Sequence, residues 1–391
     1  MIGQYHLKFN PFYEKHDHDL VGVGRKAEVG HILNDVKKAI EGKAPFFIIL
    51  RGTVGVGKSF TLDVIRRETF PPQKLDGHRL VSAKFDASLG TTPSKYIQYV
   101  CTSMFGSLGK ENFHVLREEL DAIASLRRVS PDDFLKEVAP DFRFAFMNFD
   151  AHQELIWSWL TGEKVDLRDL KKIGIKNKID SPTFALRVIG EFSRTLRLLG
   201  YDGILLCIDE AEEIALAGMS RAVQLLTMLK KIFEDSKKQM GTNPEKYAPM
   251  IFCIGFTPET YEIISGEQFM EKEKQDTGAA GLSTFLRRVG TDYSLESFTD
   301  EDARALVTVL LDKAREAPNG SLEPFNEDTI DYFNSVGRGI PGSIMKFCLV
   351  CLDQGSENGD DIITKEKASQ YLVESGTISE EMPEETIGDE A

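Results

Sequence analysis

The sequence predicts a fold of the α/β class, in which helices cover both faces of a parallel sheet. Short, largely apolar stretches, which suit buried strands, alternate with segments of helical periodicity. These stretches are residues 46–50, 80–86, 204–208 and 249–257. After Thr299 the periodicity is helical, which predicts a separate all-helical domain. We therefore expect a lead-in at 1–25, an α/β domain at 26–298 with a helical insertion at about 107–183, a helical lid at 299–373 and an acidic disordered tail at 374–391.

The first apolar stretch leads into a glycine loop, in the sequence FFIILRGTVGVGKS at residues 46–59. The spacing Gly52-x-x-x-x-Gly57-Lys58-Ser59 is that of the phosphate-binding P-loop. Glycines let backbone N–H groups converge on phosphate oxygens, and the helix that follows directs its positive end to the same place. The residues predicted to contact a nucleoside triphosphate, expected to be ATP, are Gly52, Thr53, Val54, Gly55, Val56, Gly57, Lys58, Ser59 and Phe60.

Two side chains of this loop have predicted roles of their own. Lys58 would reach the outer phosphates, and the hydroxyl of Ser59 would ligate Mg²⁺. This motif requires a strand before the loop and a helix after it. An apolar, strand-like stretch precedes the loop, and the sequence FTLDVIRRE, which has helical periodicity, follows it. Nucleotide binding is therefore favoured over a glycine turn that binds nothing.

A second motif is the apolar stretch 204–208, which ends in Asp209 and Glu210. In an open parallel sheet this places both carboxylates at the carboxyl edge, where ligands bind. Asp209 would hold Mg²⁺, directly or through water. Glu210 would act as the general base that activates the attacking water. A core strand that runs into an acidic helix cap is the alternative, and the glycine loop disfavours it.

Thr257 stands at the tip of the apolar stretch 249–257. A polar group at this position could orient the water or sense the γ-phosphate, which makes Thr257 a candidate catalytic residue. A plain strand end explains the same threonine equally well.

Composition limits the function classes. The net charge of −15 argues against sequence-blind wrapping of DNA, although a local basic groove stays compatible with it. The sequence has no run of about 18 apolar residues and no basic and apolar N-terminal leader, so we expect a cytoplasmic protein that does not span a membrane. Cys207, Cys253 and the pair Cys348 and Cys351 are interpreted as core thiols rather than as metal ligands.

Three stretches have weaker signals. Residues 1–25 are expected to be extended, 236–247 to form a polar loop and 265–281 to be mobile. Residues 107–185 are rich in predicted helices and in aromatic residues. The run Phe142-Arg143-Phe144-Ala145-Phe146 lies close in sequence to Trp157 and Trp159. Aromatics interleaved with arginine can stack on bases, but packing of a small helical subdomain is favoured.

Over residues 20–373 the order of motifs resembles an AAA+ ATPase. The chain has a Gly24-Arg25 box, the two nucleotide motifs, a sensor-like Thr257 and a helical lid. The N-terminal and C-terminal segments of the sequence resemble those of the initiator-related, ExeA-like clade. Short motifs at 159–163, 179–180 and 199–203 are also similar to ATP-binding proteins of bacterial phage-exclusion (BREX-type) systems.

The resemblance implies a homo-oligomer in which Arg287 or Arg288 reaches into a neighbour's active site. A surface arginine pair is the alternative for these two residues. The sequence also departs from the family, because Gly342 stands where the lid of these ATPases has its sensor-2 arginine. Arg338, four residues earlier, is the candidate substitute.

Two functions follow as hypotheses. The first is a Mg²⁺-dependent ATPase, an oligomeric switch or motor that acts on DNA or on a DNA-processing protein, in anti-phage defence or mobile-element regulation. The second is a signalling or scaffold NTPase that uses ATP as a conformational latch with little turnover. The presence of Glu210 favours hydrolysis, and the missing sensor-2 arginine favours the latch.

Overall fold

A computed structural model describes residues 2–13, 24–69, 75–87, 91–216, 218–277 and 290–379. The strands are β1 (Phe46–Arg51), β2 (Leu80–Asp86), β3 (Gly203–Asp209), β4 (Met250–Phe256) and β5 (Gly290–Ser294). Within the described ranges they form one five-stranded parallel sheet in the order β2–β3–β4–β1–β5. Every residue of β3 and β4 is buried, as expected for strands with helices on both faces. The predicted fold class is confirmed.

Helices make up most of the remaining described chain. Those before β3 are α1 (Lys26–Glu41), α2 (Lys58–Thr69), α3 (Tyr96–Leu108), α4 (Lys110–Arg127), α5 (Pro131–Phe134), α6 (Pro140–Met147), α7 (Gln153–Leu160), α8 (Leu167–Lys172) and α9 (Pro182–Leu198). Those after β3 are α10 (Glu212–Leu216), α11 (Met219–Thr242), α12 (Pro258–Ser265), α13 (Glu267–Thr277), α14 (Asp300–Ala314), α15 (Glu327–Val336), α16 (Pro341–Asn358) and α17 (Lys365–Glu374). No helix in the described part of the chain is both long enough and apolar enough to cross a membrane.

Side-chain caps fix several helix starts. The Ser181 hydroxyl accepts a hydrogen bond from the backbone of α9, and the Asn326 side chain does the same for α15. Thr299 and Asp302 form a reciprocal capping box at the start of α14. Such caps satisfy N–H groups that the helix itself leaves without an acceptor, so these polar residues determine where each helix begins.

The chain divides into two compact units. The sheet unit contains residues 28–52 and 58–294, and therefore all five strands. The helical unit contains residues 1–27, 53–57 and 295–391, and therefore the apex of the glycine loop together with α14 to α17.

In the sheet unit, a carboxylate on α1 ties this helix to the edge strand β5. The Tyr293 hydroxyl donates to Asp35 Oδ2 at 2.7 Å, and Lys38 Nζ donates to Asp35 Oδ1 at 2.9 Å. Burial alone would raise the pKa of Asp35, but hydrogen bonds from Lys38, Thr291 and Tyr293 lower it below the usual value. The folded state therefore favours the ionised carboxylate.

The aromatic residues between β2 and β3 form a core. Phe113 is fully buried and contacts four other aromatic rings, those of Phe105, Phe146, Phe149 and Trp157. Trp159 is buried, and its indole N–H donates to the Asn177 carbonyl at 2.9 Å. Because buried rings are not available for stacking on bases, the packing interpretation is confirmed for Phe146 and Trp159.

The helical unit includes the start of the chain, which was expected to be extended. Instead, Ile2–Tyr5 is a 3-10 helix. Beyond it, the Lys8 backbone N–H donates to the Ala314 carbonyl at 2.8 Å. The buried Phe12 ring packs edge-on against Phe325, with ring centroids 6.4 Å apart. Contacts with the end of α14 and with the connection between α14 and α15 thus order a segment that has little periodicity of its own.

One further expectation was wrong. The supposed loop at 236–247 is helical up to Thr242, because Ser236 and Met240 continue the buried stripe of α11. The stretch 265–281, expected to be mobile, contains α13, in which Phe269 is fully buried, and residues 278–281 lie outside the described residues. In both places polar residues form the solvent face of a helix. All five cysteines are free and buried, as predicted for Cys207, Cys253, Cys348 and Cys351.

Candidate nucleotide-binding site

The carboxyl ends of three parallel strands lie at one edge of the sheet, and predicted site residues follow each of them. Gly52 comes after β1, Asp209 ends β3 and Thr257 comes after β4. The register pairs Arg51 with Phe256, and the Gly52 N–H donates to the Phe256 carbonyl at 3.1 Å. The motifs are far apart in sequence, and the sheet brings them together.

Lys58, the first residue of α2, has a buried amine with 7% of its side chain exposed. Its Nζ donates to the Gly52 carbonyl at 2.9 Å and lies 3.8 Å from Glu212 Oε1. A Cβ added to Gly255 would lie 3.7 Å from Asp209 Oδ1 and 3.8 Å from Lys58 Cβ. Lys58 and Asp209 therefore both approach the same strand position, which has no side chain.

Asp209 is held at both carboxylate oxygens. Its Oδ1 accepts the Glu210 backbone N–H at 3.0 Å, and its Oδ2 lies 3.1 Å from Lys84 Nζ. Only 5% of the Asp209 side chain is exposed, so the lysine supplies the counter-charge that a buried carboxylate requires. Although burial acts to lower it, the pKa of Lys84 is raised by Asp63 and Asp209, which keeps the amine protonated.

Glu210 has a left-handed backbone, with φ at +52°, which is uncommon for a residue with a side chain. Partial burial raises the pKa of its carboxyl, and the negative charges of Glu212, Asp209 and Asp86 raise it further. Lys58 acts in the opposite direction, so its amine lies within electrostatic reach of the same carboxyl. A raised pKa brings a carboxylate closer to the range in which it accepts a proton near neutral pH.

Thr257 is buried and serves as the N-cap of α12. Its hydroxyl accepts the Thr260 backbone N–H at 3.3 Å and donates to the Thr260 hydroxyl at 3.1 Å. The cap explains why a threonine stands at this strand end. A sensor role for Thr257 stays a prediction.

The apex of the glycine loop belongs to the helical unit. Gly55 and Gly57 have φ values of +83° and +103°, which favour glycine. The buried Arg25 guanidinium holds the loop by donating to the Val56 carbonyl at 3.1 Å and to the Glu296 carbonyl at 2.5 Å. Arg25, known from the sequence only as part of a family box, is therefore a buried support of the loop. Exposed residues in the same motif are Thr53, Val54, Gly55 and Ser59, with Phe60 half-buried.

Gly342 and Arg338, the residues considered in place of a sensor-2 arginine, lie in the same unit. The Gly342 backbone N–H donates to the Gly55 carbonyl at 3.2 Å, and a Cβ at position 342 would lie 3.4 Å from that oxygen. Glycine thus permits a close backbone approach. Arg338 is exposed. The predicted finger residues, Arg287 and Arg288, lie outside the described residues.

The donors fit the predicted Mg²⁺. Asp209 offers a carboxylate, Ser59 is exposed at the start of α2, and the Ser59 carbonyl accepts a hydrogen bond from the same Lys84 amine that contacts Asp209. Oxygen is the ligand atom that Mg²⁺ prefers. The described residues contain no group of three or more His, Cys, Asp or Glu side chains that could hold a metal. A small number of protein ligands is compatible with Mg²⁺, because this ion takes most of its ligands from water and phosphates.

Sequence patterns missed the contacts of two residues at this edge. Lys84 is a lone lysine inside an apolar strand, LVSAKFD, and Glu212 is the second residue after Glu210. The charge in the apolar stretch was a usable signal, because lysine is rarely buried without a partner. Glu212 Oε2 is buried and has no hydrogen-bond partner among the residues described.

Comparison with known families decides the relationship. The profile described as "BREX system ATP-binding protein BrxC/D" matches residues 96–309, more than half of the 391-residue chain. The chain belongs to this family. The matched BrxC/D region contains the strand that ends at Asp209, and it begins after the glycine loop. The predicted resemblance to phage-exclusion ATP-binding proteins is confirmed.

Solved structures similar to this BrxC/D family member include the ORC2 protein of Aeropyrum pernix in its ADPNP–ADP complexes. The identity is 11%, the alignment covers 95% of this chain and 72% of that one, and the TM-score is 0.53. The Orc1 protein of the same organism, solved with DNA, has 10% identity, coverage of 93% and 68%, and a TM-score of 0.49. The likeness to ORC2 shows the fold. No curated protein matches the chain.

Proposed function

We propose that this chain hydrolyses ATP with the help of Mg²⁺ and works as an oligomeric switch or motor. One observation carries the proposal: Lys58, Asp209 and Glu210 meet at one edge of one sheet, although the first lies more than a hundred positions from the others. A structural core has no need to bring a lysine and two carboxylates together at the carboxyl edge of a sheet.

Each residue has a role that its surroundings support. The Lys58 amine would leave the Gly52 carbonyl for the outer phosphates, which offer it a stronger, charged acceptor. Ser59 and Asp209 would hold Mg²⁺, which neutralises phosphate charge when it is bound. Glu210 would accept the proton of the attacking water, for which its raised pKa suits it.

The test compares Glu210→Gln with Glu213→Gln, a matched exchange three residues further along the chain. We expect Glu210→Gln to bind an ATP analogue normally and to lower ATP turnover by about 100-fold or more. Glu213→Gln should keep nearly full turnover. Equal turnover in both variants would show that Glu210 is not the base.

The second candidate is a latch that binds ATP without turnover, and the glycine at position 342 supports it. A latch would show tight analogue binding and negligible turnover at every protein concentration. The hydrolytic motor would show a turnover that rises with protein concentration as subunits assemble, and that falls in Arg287→Ala or Arg288→Ala if either residue is the finger.

We also propose a role in phage exclusion, on DNA or on a DNA-processing partner. Family membership supports the defence role, and the DNA part rests on the resemblance to initiator-type ATPases. Because the net charge of −15 opposes broad DNA binding, a local groove or a protein partner is required. Particle size with a non-hydrolysable ATP analogue, with and without duplex DNA, tests assembly and DNA binding together.

A further inference from the structure

Lys84 lies in the interior of β2, beside the predicted metal ligands. Its side chain is only 16% exposed, and its neighbours Ala83 and Phe85 are buried core residues. A lysine in such a strand needs charged or polar partners, because an unpaired ammonium is costly to bury. The identity of those partners is informative.

All three partners of the amine are oxygens at the site. Lys84 Nζ donates to Asp63 Oδ2 at 2.7 Å and to the Ser59 carbonyl at 3.0 Å, and it lies 3.1 Å from Asp209 Oδ2. An ammonium has three donors, so these contacts use its full capacity. The lysine thereby links α2, which carries Ser59, to β3, which carries Asp209.

Removing the ammonium would leave a different site. The two carboxylates and the carbonyl are hard oxygen donors, the kind of set that binds a divalent cation, and the number of charged ligands tunes its affinity. Arg66 approaches Asp63 only to 4.0 Å, so it offers weaker neutralisation than Lys84 does. The Lys84 ammonium therefore disfavours binding of a free metal ion at this site.

We propose that Lys84 is a positioning residue: it holds Asp209 and Ser59 in place and prevents uptake of a free divalent cation, so that the metal enters together with the triphosphate. The inference rests on the proposed Mg²⁺-dependent function. It adds a third residue to the two predicted metal ligands, Ser59 and Asp209: Lys84, whose ammonium group keeps free metal ions from binding to them.

The test measures binding of Mn²⁺ alone by electron paramagnetic resonance, without nucleotide. Lys84→Met removes the charge and keeps most of the side-chain volume, and Lys84→Arg keeps the charge. Lys172→Met, at an exposed surface ion pair, is the control. We expect free Mn²⁺ to bind Lys84→Met about tenfold more tightly than wild type, because removal of the ammonium lowers the net charge of the site by one. Lys84→Arg and the control should match wild type.

Equal affinity of folded Lys84→Met and wild type for free Mn²⁺ would overturn the proposal. If Lys84→Met does not fold, wild type still decides: it must bind Mn²⁺ more tightly with an ATP analogue than without, and equal binding refutes the inference. Because the first arm uses neither nucleotide nor turnover, a protein that lacks ATPase activity can still pass it. Failure of the proposed hydrolysis and failure of this inference are thus distinguishable.

Discussion

Replacement of Arg25 by alanine should weaken both the helical unit and nucleotide binding. Its guanidinium is 4% exposed and donates to two carbonyls outside its own turn, those of Val56 and Glu296. The guanidinium carbon also lies 4.8 Å from the centre of the Phe298 ring. A hydrogen bond to a charged group contributes about 1.5–3 kcal/mol, and a cation–π contact about 0.5–2 kcal/mol.

The full sum would overestimate the loss, because water refills part of the space and single substitutions rarely cost more than about 4–5 kcal/mol. We therefore expect Arg25→Ala to cost about 3 kcal/mol. At about 2–4 °C for each kcal/mol, the melting transition should fall by roughly 6–12 °C. Loss of the bond to the Val56 carbonyl should also weaken binding of an ATP analogue by about tenfold, which corresponds to about 1.4 kcal/mol.

The assays are differential scanning calorimetry and a fluorescence titration with the ATP analogue. Arg168→Ala is the control, since the Arg168 side chain is 87% exposed and pairs with its neighbour Asp166. This exposed pair should contribute little to stability. The reasoning is refuted if Arg25→Ala and Arg168→Ala melt within about 2 °C of each other and bind the analogue equally well.

Three further predictions concern other parts of the chain. Gly342→Val should weaken binding of the ATP analogue, measured by calorimetric titration, because the Cβ would already be in van der Waals contact with the Gly55 carbonyl at 3.4 Å and the two valine methyl groups would crowd the glycine loop; unchanged affinity would contradict this. Phe113→Ala should cost about 3–5 kcal/mol in urea unfolding, whereas Val115→Ala, at a residue 46% exposed, should cost little. Asp35→Asn should cost about 1–2 kcal/mol at neutral pH. Because the pKa of Asp35 is lowered on folding, this deficit should be present above the unfolded pKa of about 3.9 and vanish as pH falls through the folded value; a deficit independent of pH would contradict it.

Much of the fold followed from local patterns. The strand over Leu80–Asp86 has the predicted ends, because its apolar residues and the flanking turn residues specify them locally. The polar segment in α11 was misjudged. There, charged residues with good helix propensity form an exposed face, and buried side chains supply the anchor.

The candidate site was predictable where a motif fixes the chemistry. Lys58, Asp209 and Glu210 follow from spacing and strand ends, and the sheet brings them to one edge. The contacts of Lys84 and Arg25 were not predictable, because their partners lie on elements that only tertiary packing brings near. Single residues carry no spacing signal, so their roles emerge only from three-dimensional neighbours.

The contacts of residues 2–13 with the rest of the helical unit determine how truncated fragments should be designed. Asn10 donates to Asp353 Oδ1 at 2.9 Å, in addition to the contacts that Lys8 and Phe12 make in the same unit. A truncation that starts at α1 would uncover the Phe325 ring and invite aggregation. A soluble fragment of the C-terminal helices should therefore carry the first thirteen residues, fused ahead of it or added as a peptide.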